Sequence, residues 1–106
     1  GMSFGAISQP AVEALSRGAA TAGCWMDTGE GGLSPYHLSG GCDVIMQIGT
    51  AKYGIRELDG SFSASKAKEL AQHVAAFEIK LSQGAKPGKG GVLPGEKVTE
   101  EIARIR

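Results

Sequence analysis

The segment that most constrains this chain is Glu78-Ile-Lys80-Leu-Ser-Gln83-Gly-Ala-Lys-Pro-Gly-Lys-Gly-Gly91. A short apolar, β-favouring run (Phe77, Ile79, Leu81) carries one cation, Lys80, and then breaks into a loop of four glycines, two lysines and a proline. In α/β proteins, the groups that meet a ligand lie where a strand ends and its loop begins. Lys80 and Gln83 stand at that junction. Glycines let the backbone take positive φ and approach a ligand closely, turning N–H groups toward anionic oxygens. Composition alone reads the same stretch as a solvated Gly/Lys surface loop.

The rest of the chain supplies the alternation that such a strand needs. Residues 2–7 form a mixed run suited to a buried strand. Ser8 is a good N-cap, Pro10 falls near the first helical turn, and Val12, Leu15, Ala19 and Ala22 recur at helical spacing before Gly23. Residues 24–27 are a second strand leading into the Gly29–Gly32 loop. Residues 43–48 are a third, with the apolar continuity of a strand covered on both faces. Asp59-Gly60 marks a turn, residues 65–74 predict an amphipathic helix, and residues 77–81 make the fourth strand. Thr99 caps a last helix in which Ile102 and Ile105 share a face. This rhythm predicts βαβ units in a parallel sheet. No domain boundary interrupts residues 1–106, and residues 87–95 read as a ligand-type loop rather than a linker.

Composition removes several functions. Lys+Arg and Asp+Glu balance at 11 each, so there is no electrostatic footprint for nucleic acid or an anionic membrane. No apolar run approaches the roughly 18 residues of a spanning helix, and the start lacks a signal pattern, which predicts a soluble, cytoplasmic chain. Cys24 and Cys42 read as reduced, half-buried residues, too few for a zinc or Fe–S ligand set. Seventeen glycines in 106 residues is more than twice the usual ~7%; with 42% hydrophobic residues, that fits an enzyme rich in βα loops better than disorder. Trp25 and Phe77 read as core aromatics, His73 as a surface residue, and His37 as a residue that orders its own loop.

Several ordered motifs together resemble the flavin domain of glutamate synthase, in the short form of the FMN-binding family. They are Met2-Ser-Phe-Gly-Ala-Ile-Ser8, Thr28-Gly-Glu-Gly-Gly32, Leu33-Ser-Pro-Tyr-His-Leu38, Gln47-Ile-Gly-Thr-Ala-Lys-Tyr-Gly54, the Lys80 segment, and Val92-Leu-Pro-Gly-Glu-Lys-Val-Thr99 running on to Arg106. The resemblance implies a partial (β/α)8 TIM-barrel segment with parallel strands and Gly-rich βα loops. A complete barrel takes about 250 residues. Residues 1–106 are therefore expected to be a fragment of the FMN-binding synthase domain, with Gly1-Met2 a tag remnant followed by an initiator methionine.

The resemblance also implies roles. Lys80 becomes a flavin- and substrate-facing cation, able to stabilise charge at the reduced flavin or pair with a keto-acid carboxylate. Gln83 and Arg106 join it in holding 2-oxoglutarate. Glu30, flanked by glycines, becomes a poised acid/base or substrate-orienting group. Met2 and Ser3 lie along FMN, Gln47 faces its pyrimidine edge, and Lys52 stands where larger members carry an arginine, keeping the charge without the bidentate fork. Asp27 departs from the family's asparagine and puts any ligand contact there in doubt.

The function so implied is formation of L-glutamate from 2-oxoglutarate and ammonia by hydride transfer from reduced FMN. An iron–sulfur cluster with ligands elsewhere in the parent enzyme, an electron donor and an ammonia-supplying amidotransferase are its implied partners. Two other readings stand beside it: a non-catalytic oligomeric assembly module, and an FMN barrel acting on another substrate such as a nucleotide or isoprenoid diphosphate. Four strands cannot close an eight-stranded barrel, so the isolated chain is expected to be an inactive homo-oligomer with open sheet edges.

Overall fold

The computed structural model describes residues 1–85 and 92–106, so the part of the glycine loop at 86–91 lies outside the described residues. Helix α1 spans Gln9–Ala22. Ser8 caps it, its Oγ accepting the Ala11 N–H at 3.4 Å, and Pro10 sits in the first turn, where a missing N–H costs nothing. Gly23 closes the helix at φ +69°, the left-handed conformation that glycine adopts without a Cβ penalty.

Strand β1 (Met26–Asp27) leads through a 3-10 turn at Gly29–Gly31 and helix α2 (Pro35–Leu38) to strand β2 (Val44–Ile48). A longer connection with helix α3 (Ala64–Leu70) returns the chain to strand β3 (Ala76–Ile79). A 3-10 turn at Gly95–Lys97 then precedes helix α4 (Glu100–Ile105). The three strands are parallel in the order β1-β2-β3, as the strand–helix–strand rhythm predicts. Met26 pairs with Val44, and Ile45 to Ile48 pair with Ala76 to Ile79 in register. Lys80 lies just past β3, yet its N–H still donates to the Ile48 carbonyl at 3.0 Å.

The core forms where α1, β1 and α4 meet: Phe4, Val12, Met26 and Ile102 are buried together, with Ile7, Tyr36 and Ile105 packed against them. Phe4 and Tyr36 meet edge-on, ring centroids 4.9 Å apart, a pairing that adds about 0.5–1.5 kcal/mol beyond burial. Thr99 caps α4 as its sequence predicts, its side chain accepting the Ile102 N–H at 3.3 Å. Helix α1 meets the α2 region through Ser16, whose buried Oγ donates to the His37 carbonyl at 2.7 Å and accepts the Gly40 N–H at 2.9 Å. A Cβ on Gly40 would collide with the α1 backbone at Ser16 and Arg17, so that approach needs glycine.

The structure corrects four expectations. Residues 2–7 are not a strand. Gly5, at φ +106°, folds them into a tight turn in which Gly5 N–H donates to Ile7 and Ile7 N–H to Ser3, leaving an isolated Phe4–Ile7 bridge. Those internal bonds consume groups that a ladder would use; one bond, Met2 N–H to Asp27 at 3.0 Å, ties the segment alongside β1. Trp25 (66% exposed), just before β1, and Phe77 (36%), on β3, are not core residues, because they stand at the outer strands of the described sheet rather than between covered faces. The helix expected at 65–74 stops at Leu70 and runs on as turns. Cys24 is exposed, while Cys42 is half-buried; both thiols are free. Among the described residues, no helix is long and apolar enough to cross a membrane.

Candidate active site

The sequence-selected residues come from the exits of all three strands. After β1, Thr28 is fully buried; its hydroxyl donates to the Gly29 carbonyl at 2.9 Å and accepts the Gln47 N–H at 3.1 Å. One side chain thus pins the 3-10 turn carrying Glu30 to the end of β2. Asp27 braces the same turn, its Oδ1 accepting the Gly29 N–H at 2.7 Å. Asp27 is accordingly a loop support rather than an open acceptor, although its Oδ2 is buried without a hydrogen-bond partner among the described residues. At the exit of β2, Gly49 lies against Glu30: a Cβ there would touch the Glu30 side chain at an ordinary contact distance, 3.4 Å from its Cγ.

Glu30, Lys80 and Gln83 converge. The Lys80 ammonium and the Glu30 carboxylate form an ion pair whose side chains are 25% and 28% exposed. Lys80 Nζ also donates to Gln83 Oε1 at 3.0 Å. Gln83 Nε2 turns the other way, donating to Glu30 Oε2 at 3.2 Å and to Thr50 Oγ1 at 2.9 Å. The three side chains therefore close a ring of charge-assisted bonds at the carboxyl ends of the strands. Its members come from the exits of β1 and β3, and Thr50, just past β2, is tied to the ring through Gln83. The ring tethers the cation and carboxylate in partial contact with solvent, where a ligand anion can compete for the ammonium.

Beside the ring lies a cleft of about 490 Å³, lined by Glu30, Gln83, Tyr53 and Arg106 and walled by Val92, Leu93 and Val98. Arg106 reaches it because two glycines receive the end of α4. Gly32 (φ +85°) and Gly54 (φ +79°) face one another, and a Cβ on either would stand 3.1 Å from the Ile105 carbonyl. The Gly54 N–H then donates to the Arg106 carbonyl at 3.0 Å. The Arg106 guanidinium lies over the Tyr53 ring, 4.8 Å from its centroid, and Arg56 lies over the same ring at 4.6 Å. Arg106 Nη2 is 3.4 Å from Ser3 Oγ, and its buried Nε has no hydrogen-bond partner among the described residues. A buried donor left in that state favours an acceptor supplied from the cleft.

Other sequence-selected residues sit apart from the ring. Gln47 directs its side-chain amide to Glu78, its cross-strand partner on β3. Lys52 adopts φ +54°, rare for a side-chain-bearing residue, and its backbone closes the turn with Gly49 and Ile55. Ser3 reaches the cleft side through Arg106, whereas the Met2 side chain lines a separate apolar groove with Leu15 and Trp25. Thr50 and Tyr53 join the site without having been singled out from sequence. Both lie inside the Gln47–Gly54 motif, which was the available signal; the two arginines over the Tyr53 ring meet only in the fold.

Comparison with known proteins bears on the family. The family described as "Conserved region in glutamate synthase" matches residues 1–106. The chain is 52% identical over 108 residues to the glutamate synthase large subunit-like protein YerD of Bacillus subtilis, covering 99% of this chain and 20% of that protein. It is 40% identical to the archaeal-type glutamate synthase [NADPH] of Thermotoga maritima and 39% identical to the archaeal glutamate synthase [NADPH] of Methanocaldococcus jannaschii. In both cases 99% of this chain and 18% of the relative are covered. The chain thus spans about a fifth of the length of the curated relatives it matches. No solved structure matches it. The family match over residues 1–106 and these identities show that the chain belongs to the glutamate synthase family.

Proposed function

We propose that these residues form part of the flavin and keto-acid site of a glutamate synthase-type oxidoreductase that makes L-glutamate from 2-oxoglutarate and ammonia. The observation that carries this reading is the Glu30–Lys80–Gln83 ring at the strand exits, opening on a cleft that also holds Arg106. The parallel sheet, with its site at the carboxyl ends, suits one portion of a (β/α)8 barrel.

The chain's features fit FMN on physical grounds. Gly29 and Gly31 bring bare backbone against Ser3, Lys80 supplies a cation at a strand exit, and Arg106 keeps an unsatisfied buried donor beside the cleft. Met2, Ser3, Gln47, Lys52 and Lys80 are the proposed flavin contacts. When bound, FMN supplies the hydride. Lys80 and Gln83 orient the substrate carboxylate, with Arg106 binding its second anionic end, and the Glu30 carboxylate keeps Lys80 in place and can accept a proton near the ligand. An iron–sulfur cluster, an electron donor and an ammonia-supplying amidotransferase belong to the same proposal as partners outside these residues. The exposed Trp25, Ile79 and Leu81 favour a homo-oligomeric assembly as well.

The test uses a protein of the relatives' length that carries this segment. It should bind FMN and, with ammonia, 2-oxoglutarate and reduced flavin, form glutamate; Lys80→Ala should abolish most of that turnover. Flavin binding without any 2-oxoglutarate-dependent reoxidation would reassign the substrate.

A further inference from the structure

We infer that His37 is a positioning residue: its imidazole holds the Met2 carbonyl and thereby sets Met2 and Ser3 against the glycine turn that carries Glu30. His37 is fully buried on the short helix α2, well away in sequence from the segment it holds. Its Nε2 lies 2.8 Å from the Met2 carbonyl oxygen. A carbonyl can only accept, so Nε2 carries the proton. In the neutral ring Nδ1 is then an acceptor, and it receives the Ser34 backbone N–H at 3.1 Å, with Ser34 Oγ at 2.7 Å. Both ring nitrogens are thus committed, one to the cap of its own helix and the other to a different segment. Burial lowers the imidazole's affinity for a proton, against opposing pulls from the Met2 and Ser34 backbone and from Asp27, in keeping with a neutral ring.

The held segment needs such an anchor. Because residues 2–7 form a turn instead of a strand, Met2 has a single N–H bond to β1, at Asp27. His37 fixes the carbonyl of the same residue, so Met2 is clamped from both sides. Ser3, next in the chain, is in close contact with the site: a Cβ on Gly29 would stand 2.9 Å from Ser3 N, and one on Gly31 would stand 2.5 Å from Ser3 Oγ. Ser3 Oγ in turn accepts from Arg106 Nη2 at 3.4 Å. His37 therefore acts on the site through Met2 and Ser3 without touching it. The consequence for flavin binding rests on the proposed function; the clamp itself does not.

Two substitutions separate the ring's two jobs. In His37→Asn the side-chain oxygen sits near the place of Nδ1 and can keep the Ser34 cap, but nothing reaches Met2. In His37→Gln the amide nitrogen reaches the place of Nε2 and can keep Met2 while the cap is lost. Hydrogen exchange of the full chain, followed by NMR, should show the Met2 and Ile7 amides exchanging about tenfold faster in His37→Asn, as for loss of one hydrogen bond. The Met46 amide should be unchanged, and His37→Gln should restore protection at Met2 and Ile7. In the relatives-length protein, the dissociation constant for FMN should rise by a similar factor in His37→Asn and recover in His37→Gln. Wild-type exchange at Met2 and Ile7 in His37→Asn, or equal losses in both variants, overturns the inference. If the unsubstituted protein binds no FMN, the flavin reading falls while the exchange data still decide the clamp.

Discussion

Lys80 and Glu30, fifty positions apart in the chain, meet as an ion pair that joins the exit of β3 to the turn after β1. Neither is deeply buried, so the pair contributes modestly to stability; exposed pairs of this kind are worth about 0–1 kcal/mol. Its value lies in placing a cation. Removing that cation should therefore affect chemistry much more than folding. In the relatives-length protein, Lys80→Ala should lower turnover by roughly 10²–10³-fold, the loss typical of one preorganised electrostatic partner. Its urea midpoint should move little. Steady-state glutamate formation and a denaturation curve read the two effects separately.

Gln83 holds its place through two donors and one acceptor, to Thr50, Glu30 and Lys80. Its amide carries no charge to stabilise a developing transition state, so its contribution is to orientation and binding. Gln83→Ala should raise KM for 2-oxoglutarate by about tenfold, as for one lost hydrogen bond, with a smaller fall in kcat. An unchanged KM would leave Gln83 as a brace for Lys80 alone.

Gly54 stands where a side chain has no room: φ is +79°, and a Cβ would lie 3.1 Å from the Ile105 carbonyl and 3.2 Å from Gly32 Cα. Both neighbours are backbone and cannot rotate aside. Gly54→Ala should cost about 1–3 kcal/mol from the left-handed conformation alone. The same substitution should push back the end of α4 and with it Arg106. Thermal melting measures the first effect, and weaker keto-acid binding would register the second.

His37 gives the fold a pH dependence whose sign follows from burial. Its folded pKa lies below the unfolded value near 6.5, because the buried ring resists charging. The unfolded chain therefore binds more protons as pH falls through that region, so stability is full above about pH 6.5 and declines toward the lowered folded value. Urea midpoints measured between pH 7.5 and 5 should fall in the wild type and change less in His37→Gln. These two pH values bracket the unperturbed histidine pKa of about 6.5.

Local rules were legible wherever a few neighbouring residues decide the outcome. Ser8, Pro10 and Gly23 bound α1 as their residue types dictate, Thr99 starts α4, and the apolar run around Val44–Ile48 is a strand. Lys80 and Gln83 were legible as strand-exit groups because position at a junction is a sequence property. Residues 2–7 misled because a short apolar run has no period long enough to separate a strand from a turn, and Gly5 decided for the turn. Trp25 and Phe77 look like core residues until it is known which strands are outermost in the sheet. Gln47, proposed to face the flavin, has Glu78 opposite it, a neighbour that only the register of β3 on β2 reveals. Tyr53 gained its place from α4, more than forty residues downstream, which no local pattern anticipates.

The alignment of β3 on β2 also dictates where this chain tolerates added or lost residues. Ile48 pairs with Ile79, and the next N–H, that of Lys80, still bonds to Ile48. Successive side chains on a strand alternate faces, so inserting a single residue between Phe77 and Lys80 would swing the ammonium to the far side of the sheet from Glu30. In the connection between β2 and α3, the turn at Asp59-Gly60, beyond the site residues Thr50, Tyr53 and Gly54, carries no such phase. Length variation should therefore accumulate at that turn, while the few residues leading to Lys80 are counted out one by one.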